Sequence, residues 1–219
     1  MDWELFADVP RDALRALLSV ARRRTFAKNE VVFHRGDPAD SLQLISKGHF
    51  SVQIATPLGD IATLSVRGPG DAFGELALLS RESARSATVS AIEPGETYSV
   101  YRGDFERLRR EYPSVNDVLI GILAEHLRRL SEQLIEAHYI PATRRVLRRL
   151  REMAELYGSG SGPVLVPLTQ EDIAGLAGTS RATVNSVLRA EEQRGTIQLG
   201  RAKTVVLELD ELSRRAGST

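Results

Sequence analysis

The sequence predicts an α+β chain: an N-terminal antiparallel β jelly roll, one long helix, and a C-terminal winged helix-turn-helix. Three observations predict it. Between Thr25 and about Val100, short runs rich in β-branched residues alternate with glycine-bearing turns. After Pro113-Ser114, an apolar seam recurs at 3-4-3-4-3 spacing. Between Thr169 and Leu188, a small residue, a glycine and an apolar residue fall where two short helices would cross at a sharp turn. At 219 residues the chain suits one large domain or two small ones.

Taken in order, residues 1–24 read as a short amphipathic helix, with Leu14, Leu17 and Leu18 at helical spacing, running into Arg22-Arg23-Arg24. Candidate strands follow at Val31–Phe33, Leu42–Ile45, Phe50–Ile54, Ile61–Leu64, Ala87–Val89 and Tyr98–Val100. Turns fall at Gly36-Asp37-Pro38, Lys47-Gly48, Leu58-Gly59-Asp60 and Gly68-Pro69-Gly70-Asp71. The long helix carries Ile120, Leu123, Leu127, Leu130, Leu134 and Ala137 on one stripe, flanked by Glu125, Arg128, Arg129 and Glu132. So narrow a stripe suits a dimer seam, although a helix packed on its own domain shows the same pattern. Pro141 ends the helix. A second helix is expected at Ala142–Leu156, a turn at Gly158–Gly162 and a strand at Val164–Val166.

Composition excludes several classes of function. There is no cysteine, so disulfides, thiolate metal sites and cysteine nucleophiles are ruled out. His34, His49, His126 and His138 have no metal-ligand spacing, and no metal is expected. No apolar run reaches the length of a membrane helix, and Met1-Asp2-Trp3-Glu4 opens no secretory signal, so a reducing, cytoplasmic setting without membrane attachment is expected. No Ser/His/Asp set or carboxylate pair stands in a catalytic context, so the chain does not read as an enzyme. Net charge is zero but uneven: residues 1–138 hold 17 basic and 20 acidic side chains, residues 139–219 hold 12 and 9. A mildly basic C-terminal part suits an anionic partner. The pairs Arg144-Arg145 and Arg148-Arg149 read as a solvated helix face.

In the C-terminal pattern, Ala174 is small where the helices cross. Gly178 can take the positive φ of the turn, and Val184 locks the second helix onto the first beside Ile173, Ala177 and Val187. A generic helical hairpin is the bland alternative. Thr179 and Ser180 suit the N-cap, where hydroxyls and free amides also meet phosphate. The outward face of the second helix offers Arg181, Ala182, Thr183, Asn185, Ser186 and Arg189 to double-stranded DNA. Arg181 can bond guanine O6 and N7, and Asn185 adenine N6 and N7. Thr196–Leu199 and Thr204–Leu207 would form a wing whose tip, with Arg201 and Lys203, either touches phosphate or is simply solvated.

In the N-terminal part, Gly74-Glu75-Leu76-Ala77-Leu78-Leu79 reads as a short helical turn after a glycine. A loop then returns to a strand beginning near Arg85. Free amides of the turn, the Arg85 fork and the Ser86 hydroxyl suit an anion. Glu75 beside them suits a sugar hydroxyl, and the combination specifies a nucleotide.

Gly74–Leu79, five intervening residues, and Arg85-Ser86-Ala87-Thr88 resemble the phosphate-binding cassette of cyclic-nucleotide-binding domains. So do Phe33–Leu42 and Lys47-Gly48. With the long helix and the winged helix-turn-helix, the chain from about residue 5 to 210 resembles the Crp/Fnr superfamily, most nearly its cyclic-AMP receptor branch. The resemblance implies a cyclic-nucleotide-binding sensor at 1–112, a dimerisation helix at 113–138 and a DNA-binding domain at 139–219. It also implies a homodimer on a pseudo-palindromic operator, RNA polymerase as a further partner, and cyclic AMP as effector. By position, Glu75 would hold the ribose 2′-hydroxyl and Arg85 with Ser86 the cyclic phosphate, while Gly74, Leu76, Ala77 and Ala87 shape the pocket. Where the family places two consecutive hydroxyl residues against adenine, this chain has Leu130 and Ser131, and His126 stands in place of an arginine. Ala182 and Ser186 replace the family's glutamate and second arginine. These departures leave open another effector, cGMP or a different small molecule, or none. A cyclic-nucleotide-dependent regulatory subunit of an enzyme is the remaining alternative.

Overall fold

A computed structural model of the chain describes residues 3–57, 59–79, 84–158 and 162–217. Leu58 of one expected turn, residues 159–161 of the glycine-serine turn, and 80–83 of the spacer before Arg85 lie outside the described residues. The chain divides into two compact units, Met1–Ile54 with Leu64–Arg129, and Ala55–Thr63 with Leu130–Thr219.

In the first unit a single turn of 3-10 helix, Glu4–Phe6, precedes α1 (Arg11–Val20). The helix is shorter than the sequence pattern predicts. Ala21 is already extended, and Arg22-Arg23-Arg24 belongs to β1 (Arg22–Phe26), paired antiparallel with β8 (Gly95–Tyr101). The arginine run lies in the backbone ladder with β8, and Arg23 also meets Glu96 there. The other strands are β2 (Val31–Phe33), β3 (Ser41–Lys47), β4 (Phe50–Ala55), β5 (Ile61–Arg67), β6 (Ala72–Phe73) and β7 (Thr88–Ala91). They form two four-stranded sheets in the orders β1-β8-β3-β6 and β2-β7-β4-β5. The strand expected near Arg85 begins later, at Thr88. Arg85 instead trades backbone hydrogen bonds with the Gly36-Asp37 turn, at 2.9 Å each way.

The sandwich interior joins Phe26, Val32, Ile45, Phe50, Phe73 and Val89 from both sheets. β3 is buried on both faces. Alternation along a strand sends Leu42 and Leu44 the other way. There they pack with Trp3, Phe6, Leu17, Phe105 and Leu119, which sit on the sequence's first segment, on α1, on α3 (Arg102–Glu111) and on α4 (Ser114–Tyr139). The α3 helix and β6 have no counterpart in the sequence reading. The short helix α2 (Glu75–Leu79) follows Gly74 as expected.

The α4 helix spans 26 residues as one element. Ile120, Leu127, Leu130 and Leu134 on its seam are 64%, 67%, 51% and 62% exposed. These four side chains therefore present an exposed apolar face.

In the second unit, α5 (Ala142–Tyr157) starts after Pro141. It is followed by β9 (Val164–Val166), α6 (Gln170–Ala177), α7 (Arg181–Gln193), β10 (Ile197–Gly200), β11 (Lys203–Val206) and α8 (Leu209–Ala216). The wing is a three-stranded sheet, β10-β11-β9, turning through Arg201-Ala202, with Ala202 at φ 56°. The strands end one residue later and start one residue earlier than the sequence suggests, because Gly200 pairs with Lys203.

The arginine pairs of α5 are not a solvated face. Arg145 donates to the carbonyls of Ala177 and Gly178 at 2.9 and 3.0 Å, capping the C-terminal end of α6, and Arg148 donates to Ala216 at the end of α8. Arg149 is buried between Glu136 and Glu152. Helix C-termini concentrate unpaired carbonyls, and cations settle there. Only Arg144 of the four is exposed.

Candidate functional site

The N-terminal site is built around Gly74. Its φ of 87° lies in the left-handed region, and a Cβ there would stand 2.6 Å from Arg85 Nη1 and 3.3 Å from the Ser41 carbonyl oxygen. Glycine is thus what lets the start of α2 approach Arg85. Arg85 is buried. Its Nη1 donates to the Ser41 carbonyl at 2.7 Å, its Nη2 donates to Ser41 Oγ at 3.1 Å, and its guanidinium carbon lies 4.1 Å over the Phe33 ring. Arg85 Nε is buried without a hydrogen-bond partner among the described residues. Burial lowers the guanidinium pKa, with Asp40 and Asp37 opposing; an arginine keeps its charge through any such shift. A fixed positive charge whose buried Nε–H has no partner among the described residues fits an anionic oxygen.

Glu75 opens α2 and is also buried. Burial raises its carboxyl above the usual range. Its own backbone amide, Arg67, the Gly74 amide and Arg85 pull the other way. Arg67 on β5 donates to His126 Nε2 of α4, and His126 Nδ1 lies 3.9 Å from Glu75 Oε1. That distance exceeds a hydrogen bond. Burial first, then Arg67 and Arg129, lower the His126 pKa to about 4. His126 is therefore neutral at pH 7 and can accept from Arg67. A cavity of about 180 Å3 opens on Arg67, Asp71, Glu75, Leu119, Ile122 and His126. Arg85 is not part of its wall; it reaches Glu75 from the Gly74 side.

Of the other expected pocket residues, Ala87 is buried just before β7, whereas Ser86 and Leu76 are exposed. Ala77 is the third residue of α2. Leu130 and Ser131 lie one turn beyond His126 on α4 and are both exposed.

The second site lies on the helix-turn-helix. Thr169 caps α6 with a reciprocal capping box: its Oγ1 accepts from the Asp172 amide at 3.1 Å, and its amide donates to Asp172 Oδ2 at 2.8 Å. Gly178 ends α6 at φ 58°. Ser180 caps α7, its Oγ accepting from the Thr183 amide at 3.2 Å, while Thr179 is half-buried in the turn. Ile173, Ala174, Ala177, Val184 and Val187 are buried as the pattern requires. Arg181, Ala182, Asn185, Ser186 and Arg189 are exposed on α7. Arg181, Asn185, Arg189 and Lys203 face one open concavity of about 590 Å3. Ser186 lines a different groove, toward α5, and Arg201 lies outside the concavity.

Sequence reasoning missed Arg67, Gln170 and Glu192. Arg67 meets His126 only through the fold. Gln170, the first residue of α6, donates to Asn185 Oδ1 at 3.2 Å and so holds that side chain in the concavity. Arg189 is paired with Glu192 at 3.0 Å. The one local signal among these was the position of Gln170 beside a helix cap.

Residues 23–112 match the cyclic nucleotide-binding domain family, and residues 144–215 match the Crp-like helix-turn-helix domain. The chain is 30% identical to the CRP-like cAMP-activated global transcriptional regulator of Mycobacterium tuberculosis over 215 residues, 97% of this chain and 96% of that one. It is 33% identical to the cyclic AMP receptor protein of Thermus thermophilus over 204 residues, 93% and 92% of the two. The crystal structure of the Thermus thermophilus catabolite activator protein superimposes with a TM-score of 0.56 at 32% identity, covering 98% of each chain.

Proposed function

Since the chain belongs to the Crp/Fnr family of DNA-binding transcription regulators and carries a cyclic nucleotide-binding domain, we propose that it acts as a homodimer gated by cyclic AMP. The observation that carries the effector reading is the buried, unpartnered Nε of Arg85 beside Gly74 and Glu75. A cyclic phosphate supplies the missing acceptor, and the ribose 2′-hydroxyl a donor for the Glu75 carboxylate. Ser86 adds a hydroxyl, and Gly74, Leu76, Ala77 and Ala87 give the pocket its shape. Relatives named as a cAMP-activated regulator and as a cyclic AMP receptor protein support the same nucleotide.

The exposed seam of α4 supports the dimer. In this reading effector binding at Glu75 acts on α4 through His126 and resets the spacing of the two α7 helices. They must reach successive major grooves about 34 Å apart. The effector shifts that equilibrium only by binding one dimer state more tightly than the other. Arg181 and Asn185 read base edges, Thr179, Ser180 and Thr183 meet the backbone at the start of α7, and Arg201 and Lys203 meet phosphate from the wing. Such a regulator works in the cytoplasm beside RNA polymerase; no helix among the described residues is long and apolar enough to cross a membrane. Leu130, which offers no hydrogen bond to a base, favours a second reading with a different effector at the same site.

Titration calorimetry with cyclic AMP and cyclic GMP tests the effector, paired with fluorescence anisotropy on a palindromic duplex. Binding of cyclic AMP that raises DNA affinity supports the first reading. DNA binding indifferent to both nucleotides supports the second.

A further inference from the structure

Gln43 is an amide in the interior of the β sandwich, 1% exposed, between Leu42 and Leu44 of β3. A buried amide without partners is costly, and this one has partners at both its oxygen and its nitrogen. Its Oε1 accepts from Ser99 Oγ at 2.8 Å and from Thr97 Oγ1 at 2.9 Å. Ser99 faces Gln43 directly across the β3–β8 ladder, and Thr97 is its diagonal neighbour. Its Nε2 donates to Ser41 Oγ at 3.2 Å. Ser41 Oγ also accepts from Arg85 Nη2, and the Ser41 carbonyl accepts from Arg85 Nη1. All five side chains are buried. A continuous polar relay thus runs from β8 through β3 to Arg85.

The relay settles which edge of the guanidinium is left. Its end, formed by Nη1 and Nη2, is taken by Ser41. One face lies against Phe33, and the side at Nη1 has no room for even a Cβ at Gly74. Of its nitrogens, Nε is the one that is buried with no hydrogen-bond partner among the described residues. Resting on the reading of Arg85 as the phosphate ligand, we propose that Ser41 and Gln43 are positioning residues of the nucleotide site. They hold Arg85 so that its Nε edge meets one of the two exocyclic oxygens of the cyclic phosphate. A guanidinium fixed in this way distinguishes those two oxygens; a swinging one does not.

The test measures affinities for cyclic AMP and for its Sp and Rp phosphorothioate diastereomers, in which sulfur replaces one exocyclic oxygen or the other. The proteins are the full-length wild type, Ser41→Ala, Ser41→Thr, Gln43→Leu and Arg85→Lys, each with its thermal midpoint recorded without nucleotide. The wild type is expected to prefer one diastereomer. Ser41→Ala should lower cyclic AMP affinity by about tenfold, the weight of one hydrogen bond to a charged group, and Gln43→Leu, which reaches Arg85 only through the Ser41 hydroxyl, by a few-fold. They should also bring the diastereomer ratio toward one, as Arg85→Lys does, while Ser41→Thr, which keeps the hydroxyl, restores the ratio. If Ser41→Ala and Gln43→Leu lose affinity or thermal stability with the ratio unchanged, the relay is only structural and the proposal is overturned. If either variant does not fold, the other and Ser41→Thr decide by the same ratio. A wild type that binds no cyclic nucleotide overturns the underlying reading as well. One that binds without preferring a diastereomer overturns the positioning role alone.

Discussion

Truncating Leu127 to alanine should loosen the proposed homodimer about 200-fold. The change removes three carbons from the middle of the α4 seam. At about 0.8 kcal/mol per buried CH2, full burial would be lost at a cost of about 2.4 kcal/mol. Leu127 is 67% exposed in the single chain, so only that fraction remains to be buried by a partner. The loss becomes about 1.6 kcal/mol per protomer. A two-fold seam uses each residue twice, giving about 3.2 kcal/mol, and 1.4 kcal/mol is tenfold in affinity. Sedimentation velocity over a concentration series, with and without cyclic AMP, reads the constant directly. Val20→Ala is the control, since Val20 is 53% exposed but lies on α1, away from the seam. A wild type that is monomeric at micromolar concentration would refute the reasoning. So would a Leu127→Ala constant no weaker than that of Val20→Ala.

Other outcomes are expected from the two sites. Arg85→Ala should reduce cyclic-nucleotide affinity by roughly 10- to 150-fold by calorimetry, since a hydrogen bond to a charged group contributes about 1.5–3 kcal/mol. Glu75→Ala should weaken cyclic AMP more than its 2′-deoxy analogue, and equal losses would remove Glu75 from the ribose. Arg181→Ala should cost about 1–3 kcal/mol per half-site and relax preference at one guanine. Lys203→Ala should weaken matched and mismatched duplexes alike and lower the salt slope by about one; anisotropy at several salt concentrations separates the two behaviours. His126 has its pKa lowered to about 4 by burial and by Arg67 and Arg129. The unfolded chain, with a histidine near 6.5, takes up the proton first as pH falls. Its contribution is full above about pH 6.5 and declines toward pH 4, so His126→Gln should flatten the loss of urea stability over that window. An unchanged pH slope would place the acid lability elsewhere.

What the sequence determined by itself is local. The Thr169 cap, the left-handed Gly178 and the Ser180 cap lie within a dozen residues of one another. Helix starts, stops and sharp turns are decided by hydrogen bonds between near neighbours, so the helix-turn-helix was legible before folding. The α4 seam was legible for the same reason: an i+3, i+4 spacing declares a face without naming what covers it. Gly74, Glu75 and Arg85 were legible as a pattern of residue types. Tertiary structure decided whatever depends on a distant partner. The arginines at 22–24 became strand where β8, some seventy residues on, offered a backbone ladder, and Arg23 met Glu96 there. Arg145 and Arg148, which read as solvated, found the carbonyl ends of α6 and α8. Arg67 met His126, and Gln170 met Asn185. Gln43 lay unremarked within the expected strand Leu42–Ile45, with no sign of Ser99, Thr97 or Ser41 as its partners. A buried polar group must be paired, but sequence spacing does not say with what; only the fold brings those donors and acceptors within reach.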